Sequence, residues 1–232
     1  MSVHPRLYAA SVEPLRDDAL YACALLAATP ARREKTARLV RPEDRRLSLG
    51  AELLLRRAFA DAGEAFPARM ETGPFGKPFS PGADIRFNLS HAGEYALCAV
   101  CDTETGCDIE KIVPAPMDVA QRFFSREEAL DILSQPTPAA RDDRFFRLWT
   151  VRESYVKALG TGITHPLNAF RVSLEEPVRV IPDEGRHFFR EFPDIPGYRA
   201  AMCAEEDLSV AALTMVNLSV FPGLTDGSFV SP

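Results

Sequence analysis

The apolar positions change period several times along the chain, and each change marks an element. Residues 7–10 form a short strand candidate, and 15–28 read as a helix. Thr29-Pro30 supplies a cap residue with proline at the first helical position, opening a second helix over 31–40. After Arg41-Pro42, Leu47, Ala51, Leu54, Leu55, Ala58 and Phe59 recur at helical spacing, which predicts a long amphipathic helix ending near Gly63. Residues 73–82 are dense in glycine and proline and predict a loop. Strands are predicted at 87–90, before a turn at Ala92-Gly93, at 95–101 and around Asp108 and Glu110. Prolines punctuate 111–117, helix signals resume over 117–124, and Ser125 with Glu128 has the S-x-x-E capping pattern. Residues 135–140 read as a linker into a helix over 141–159 that Gly160 closes. Short strands follow at 170–174, 178–181, 188–192, 198–203 and 208–215, with 221–232 as a tail. Helices followed by hairpin-like strands predict an α+β fold. No sequence repeat stands out.

The 232 residues, 46% of them hydrophobic, suffice for one large domain or two small ones. A net charge of −6 and a pI near 5.3 exclude broad attraction to nucleic acid or an anionic membrane, so any anion site must be local. Residues 1–10 lack a basic stretch followed by an apolar one, and the longest apolar run, near 19–28, is too short to span a bilayer. The expectation is a cytoplasmic protein. Five cysteines are an odd count without the density of a disulfide framework. Cys98 and Cys101 match C-x-x-C by letter, but on a strand they point to opposite faces, so buried thiols are expected rather than a zinc or redox pair.

Candidate chemistry gathers in two stretches. In Gly106-Cys107-Asp108-Ile109-Glu110, strand alternation turns both carboxylates to one face. Like charges about 7 Å apart repel unless a cation or proton relieves them, and paired hard oxygens suit Mg²⁺ better than Zn²⁺. In the helix over 141–159, Trp149, Glu153 and Lys157 recur at i, i+4 and i+8 on one face. Spacing alone leaves two readings open: a metal site, or a solvated strand edge beside an ordinary exposed helix pair. Arg32, Arg33, Lys35, Arg38, Arg45 and Arg46 form a basic cluster, which by itself reads as a solvated helix face.

Four blocks in order decide between the readings. Phe87-Asn88-Leu89-Ser90-His91-Ala92-Gly93, the Gly106 to Glu110 stretch, Arg122-Phe123-Phe124-Ser125-x-x-Glu128 and the run from Leu148 to Lys157 resemble the Sfp-type 4′-phosphopantetheinyl transferases. Weaker echoes at Arg33-Glu34-Lys35, Gly76-Lys77-Pro78 and Gly197-Tyr198-Arg199 extend the resemblance over nearly the whole chain. It implies two similar α/β subdomains forming an intramolecular pseudo-dimer, joined near residues 102–106, with the active site in the cleft between them. Residues 1–104 would carry the nucleotide contacts, and 105–220 the carboxylates and carrier docking. It also implies the reaction, Mg²⁺-dependent transfer of the 4′-phosphopantetheine arm of coenzyme A to a serine of an apo acyl, peptidyl or aryl carrier protein. By the same resemblance Asp108, Glu110 and Glu153 bind the metal, and Lys157 is a phosphate or proton-transfer partner. Glu128, Glu153 or a water on the metal activates the serine. Lys77, Ser90 and His91 hold nucleotide phosphates, and Arg32 and Lys35 face the 3′-phosphate. A monomer acting in secondary metabolism is expected.

Two positions depart from the pattern: Leu47 stands where a hydroxyl residue often contacts the nucleotide, with Ser48 beside it, and Arg152 stands where lysine is usual. Residues 111–124 combine Ile112, Val113, Met117 and Phe124 with Lys111 and Arg122, followed by Arg126, which suits docking of an acidic, partly apolar carrier helix; the competing reading places the apolar side chains in the core. A non-catalytic homologue that binds coenzyme A or the carrier, and a Mg²⁺-dependent nucleotide phosphohydrolase, are the alternative functions.

Overall fold

The computed structural model describes residues 4–67, 70–162, 166–183 and 185–221; of the tail expected over 221–232, Phe221 is instead buried in a core and the rest lies outside the described residues. The fold is α+β. Strand β1 (Arg6–Ser11) leads through a short 3-10 turn to helices α1 (Asp18–Ala27), α2 (Pro30–Arg38) and α3 (Pro42–Asp61). A two-residue hairpin, β2 (Glu71–Thr72) and β3 (Pro78–Phe79), precedes β4 (Arg86–Ala92) and β5 (Tyr95–Cys101). The second half begins at β6 (Thr105–Lys111) and continues through α4 (Met117–Phe123), α5 (Arg126–Ser134) and α6 (Pro138–Leu159). It closes with β7 (Arg171–Ser173), β8 (Arg179–Ile181), β9 (Phe188–Phe192), β10 (Tyr198–Ala204) and β11 (Ala212–Met215).

The two halves repeat one topology. In the first, β1 pairs antiparallel with β5 and β5 with β4; in the second, β6 pairs antiparallel with β10 and β10 with β9. Strand β11 then returns to the first sheet, parallel to β1, giving the order β11-β1-β5-β4. Side-chain alternation sorts each strand between two cores. Leu7, Ala9, Leu97, Ala99 and Cys101 meet Cys107, Ile109, Ala200, Met202 and Ala204 between the sheets. The opposite faces pack on the long helices: Tyr8, Ala10, Cys98 and Val100 against Leu54, Leu55 and Phe59 of α3, and Ala201 and Cys203 within the core built on α6. Cys98 and Cys101 therefore lie in different cores, and the described cysteines are all free thiols.

Local signals set most boundaries. Thr29 accepts the Arg32 N–H ahead of Pro30, and the capping box at Ser125 and Glu128 closes in both directions. The expected helix over 15–28 divides, because the Asp17 side chain accepts the Leu20 N–H and starts α1 afresh at Asp18. Helix α6 starts at Pro138, not Arg141, since Thr137 accepts the Ala140 N–H in the same Thr-Pro device that opens α2. Strand β4 runs on to Ala92, so His91 lies in the strand and not in a turn. Among the described residues no helix is long and apolar enough to cross a membrane.

Candidate active site

Strand β6 and helix α6 approach unusually closely, and Gly106 is the reason. A Cβ there would lie 2.0 Å from the Ser154 carbonyl oxygen and 2.4 Å from the Ala158 nitrogen. Only glycine admits that contact. It brings Asp108 and Glu110, two and four residues along the strand, under the face of α6 that carries Trp149, Glu153 and Lys157. On the other side β4 runs beside β6 from the first half. The Asn88 side-chain oxygen accepts the Cys107 N–H at 2.9 Å, which seats Ser90 opposite Asp108.

The central contact joins three of the predicted residues across the two halves. Asp108 Oδ1 accepts from Lys157 Nζ at 2.6 Å and from Ser90 Oγ at 2.9 Å, and Lys157 Nζ also reaches Ser90 Oγ at 3.1 Å. Asp108 Oδ2 is buried without a hydrogen-bond partner. A buried carboxylate oxygen left bare is costly, so the geometry calls for a further electropositive group. Around this pair the carboxyls crowd. Burial first, then Asp108, pushes the Glu110 carboxyl up to about 7, with Glu153 adding to the rise and Lys157 opposing it. Burial and then Asp108 raise Glu153 as well. Burial disfavours the Lys157 ammonium, yet Asp108 outweighs it and leaves Lys157 above its ordinary value.

Basic groups of the first half face this cluster. Burial lowers the His91 imidazole, and Lys157 and then Lys35 lower it further by repulsion, so the three bases share one field. Burial and then Arg32 hold the Lys35 ammonium below its usual range. Bases that repel one another mark a place where an anion is favoured.

Three predicted residues have other partners. Arg32 Nε donates to Glu52 at 3.1 Å and its NH1 to Ser48 at 3.4 Å. Ser48 is buried and also meets Thr36. Lys77 Nζ pairs with Glu104 at 2.6 Å and donates to the Ala158 carbonyl at 3.1 Å. Glu128 has both oxygens engaged, Oε2 with the Ser125 N–H at 2.6 Å and Oε1 with Arg152 at 2.5 Å and the Val172 N–H at 2.7 Å. Arg152 is fully buried between the rings of Phe124 and Phe170, and its NH1 donates to the Leu167 and Phe170 carbonyls. The Arg152 guanidinium fork thus makes bonds that a lysine ammonium would not reproduce. Sequence reasoning placed Trp149 on the correct helix face, and it missed Glu52 and Glu104 altogether. Their signal is a pairing across 20 or more residues that no local spacing carries.

In kind, the donor set fits a hard divalent cation: carboxylate oxygens only, one of them bare. Among the described residues no three His, Cys, Asp or Glu side chains converge into a ready metal cage, and Lys157 holds one side of Asp108. A cavity of about 600 Å³ is lined by Glu153 and Lys157 together with Arg122, Phe123, Val156 and Leu167.

A family model described as the 4′-phosphopantetheinyl transferase superfamily matches residues 104–203. A 4′-phosphopantetheinyl transferase of Bacillus subtilis is 36% identical over 187 residues, covering 78% of this chain and 83% of that protein. The 4′-phosphopantetheinyl transferase Sfp of Bacillus subtilis strain 168 is 33% identical over 196 residues, covering 82% and 87%. The crystal structure of Thermotoga maritima holo-[acyl-carrier-protein] synthase aligns with 45% of this chain and 64% of its own at a TM-score of 0.38 and 18% identity.

Proposed function

The chain belongs to the 4′-phosphopantetheinyl transferase superfamily, and from that premise we propose that the cleft between its halves moves the 4′-phosphopantetheine arm of coenzyme A onto a serine of an apo carrier protein. The observation that carries this reading is the contact of Asp108, Lys157 and Ser90 across the two halves, with one Asp108 oxygen bare and Glu110 and Glu153 beside it. It is the kind of place a pyrophosphate and its counter-ion would fill.

Each residue then has a task. His91, Lys35 and Ser90 hold the phosphates of coenzyme A on the first-half side of the cleft, and Lys157 neutralises charge that builds on the transferred phosphate. The carrier serine loses its proton to a Glu153 carboxylate oxygen, and its Oγ bonds the β-phosphorus. The bond from that phosphorus to the bridging oxygen breaks, and adenosine 3′,5′-bisphosphate leaves with the electron pair. Glu153 suits the base role because it lines the open cavity next to Lys157, where a carrier serine could enter. Glu128, with both oxygens committed inside the second half, is left to hold that half together. Asp108, Glu110 and Glu153 would hold Mg²⁺, which when bound supplies Lewis-acid neutralisation of the pyrophosphate.

We assign the nucleotide contacts to residues 1–104 and the carboxylates and carrier docking to 105–220. Val113 is 46% exposed, while Ile112 and Met117 pack in part on the second-half core and Phe124 is buried in it, so the docking surface at 111–124 centres on Val113 with Lys111 and Arg122. The partners are apo acyl, peptidyl or aryl carrier domains, met by a monomer in the cytoplasm. The test is intact-mass analysis of several apo carriers incubated with the protein, coenzyme A and Mg²⁺, with and without chelator. A chelator-sensitive gain of one phosphopantetheine group is expected; release of adenosine bisphosphate with every carrier still at its apo mass would favour a hydrolase instead.

A further inference from the structure

Helix α2 carries Lys35, whose charge is felt at His91, and the seat of the helix is a single buried carboxylate. Glu52 of α3 is 4% exposed and accepts four hydrogen bonds. They come from the Thr29 N–H at 2.6 Å, Thr29 Oγ1 at 3.0 Å, Arg32 Nε at 3.1 Å and an Arg56 NH2 at 3.4 Å. Thr29 is itself the cap of α2. One turn back along α3, Ser48 takes bonds from Arg32 and Thr36, so residues 29, 32 and 36 are all fastened to α3. These lie on one face of α2 by helical spacing, and Lys35 follows on the neighbouring strip.

This arrangement sorts the cations of α2. Arg32 is turned inward onto Glu52 with its side chain 17% exposed, whereas Lys35 makes no hydrogen bond or ion pair among the described residues and lies in the field of His91. We infer that Glu52 is a positioning residue for substrate selection: it locks α2 onto α3 through Thr29 and Arg32, so that Lys35, and not Arg32, is presented to the 3′-phosphate end of coenzyme A. This deepens the proposed function and rests on it. Glu52 is buried with its oxygens committed to protein donors. Its effect is on where a helix stands. Four donors converging on one carboxylate make the seat sensitive to a neutral replacement, because a glutamine amide would turn its own N–H groups toward donors.

The experiment compares coenzyme A with 3′-dephospho-coenzyme A as donors at saturating carrier, in the wild type, Glu52→Gln and Thr29→Val. The wild type is expected to prefer coenzyme A in KM by about tenfold, the worth of one charge-assisted contact. In Glu52→Gln that preference falls toward unity while kcat at saturating donor holds, and Thr29→Val, which loses one of the four bonds, shifts it in the same direction by less. Thr29→Val alone decides the matter should Glu52→Gln fail to fold. A lowered melting temperature with the preference intact in the folded variants would overturn the inference and leave the proposed function standing. A wild type that transfers from both donors equally would overturn the inference together with the phosphate assignment of Lys35. A wild type that transfers from neither would overturn the proposed function first.

Discussion

The two halves share a strand order and differ in what they turn toward their long helix. Counted from the first residues of β5 and β10, Tyr95 and Tyr198, the fourth residue of each faces Tyr8 on β1 and Asp108 on β6. The second faces Ala10 in one half and Glu110 in the other. Where the second half sets two carboxylates beneath Glu153 and Lys157, the first sets a buried tyrosine and an alanine beneath the apolar face of α3. Equivalent backbone thus serves a core in one place and a polar site in the other. The helix contacts differ accordingly. In the first half a helix glycine, Gly50, would bring its Cβ to 2.6 Å from a Val12 methyl; in the second a strand glycine, Gly106, lies against the backbone of α6 itself. In the proposed reading the repeated fold yields one cleft with chemistry, with carboxylates from the second half and the bases His91 and Lys35 from the first.

The comparison breaks most sharply at those paired positions. Asp108→Asn or Glu153→Gln should lower kcat/KM by roughly a thousandfold or more while unfolding stays cooperative, whereas Tyr8→Phe, at the place equivalent to Asp108, should leave transfer unchanged; steady-state kinetics on all three checks it. Glu128→Ala should cost about 3–5 kcal/mol in denaturant unfolding, because it strands the buried Arg152 guanidinium. Gly106→Ala should cost about 3 kcal/mol or more, since backbone cannot step aside, while Gly50→Ala should cost about 1 kcal/mol, the stiff, buried Val12 having to shift while the helix gains alanine propensity. Equal losses at the two glycines would remove the distinction between the halves. The smallest effect is expected at the carrier surface, where Val113→Glu should raise the carrier KM by about fivefold and leave the KM for coenzyme A alone.

Much of this was legible in residue order where local physics decides. Alternation put Asp108 and Glu110 on one face, helical spacing put Glu153 above Lys157, and Thr29-Pro30, Ser125 with Glu128, and Gly160 marked helix ends that the structure keeps. The start of α6 was legible too, for Thr137-Pro138 repeats the Thr29-Pro30 device, but the prolines around it read as a linker. The topological repeat was not. Its equivalent strands YALCAVC and YRAAMCA share little beyond an initial tyrosine, because one sheet buries that strand beside α3 and the other beside α6. Nor could spacing show that Arg32 turns to Glu52, Lys77 to Glu104, or that β11 crosses back to β1, since these pairings arise only once distant elements meet.

The central claim, that the duplicated fold holds one chemically loaded cleft, is tested most directly by calorimetric titration of coenzyme A into the protein with Mg²⁺ and no carrier. The account predicts one molecule bound per chain, with affinity falling when the metal is chelated and falling again in Asp108→Asn. Two molecules per chain, or one whose affinity neither change moves, would contradict it.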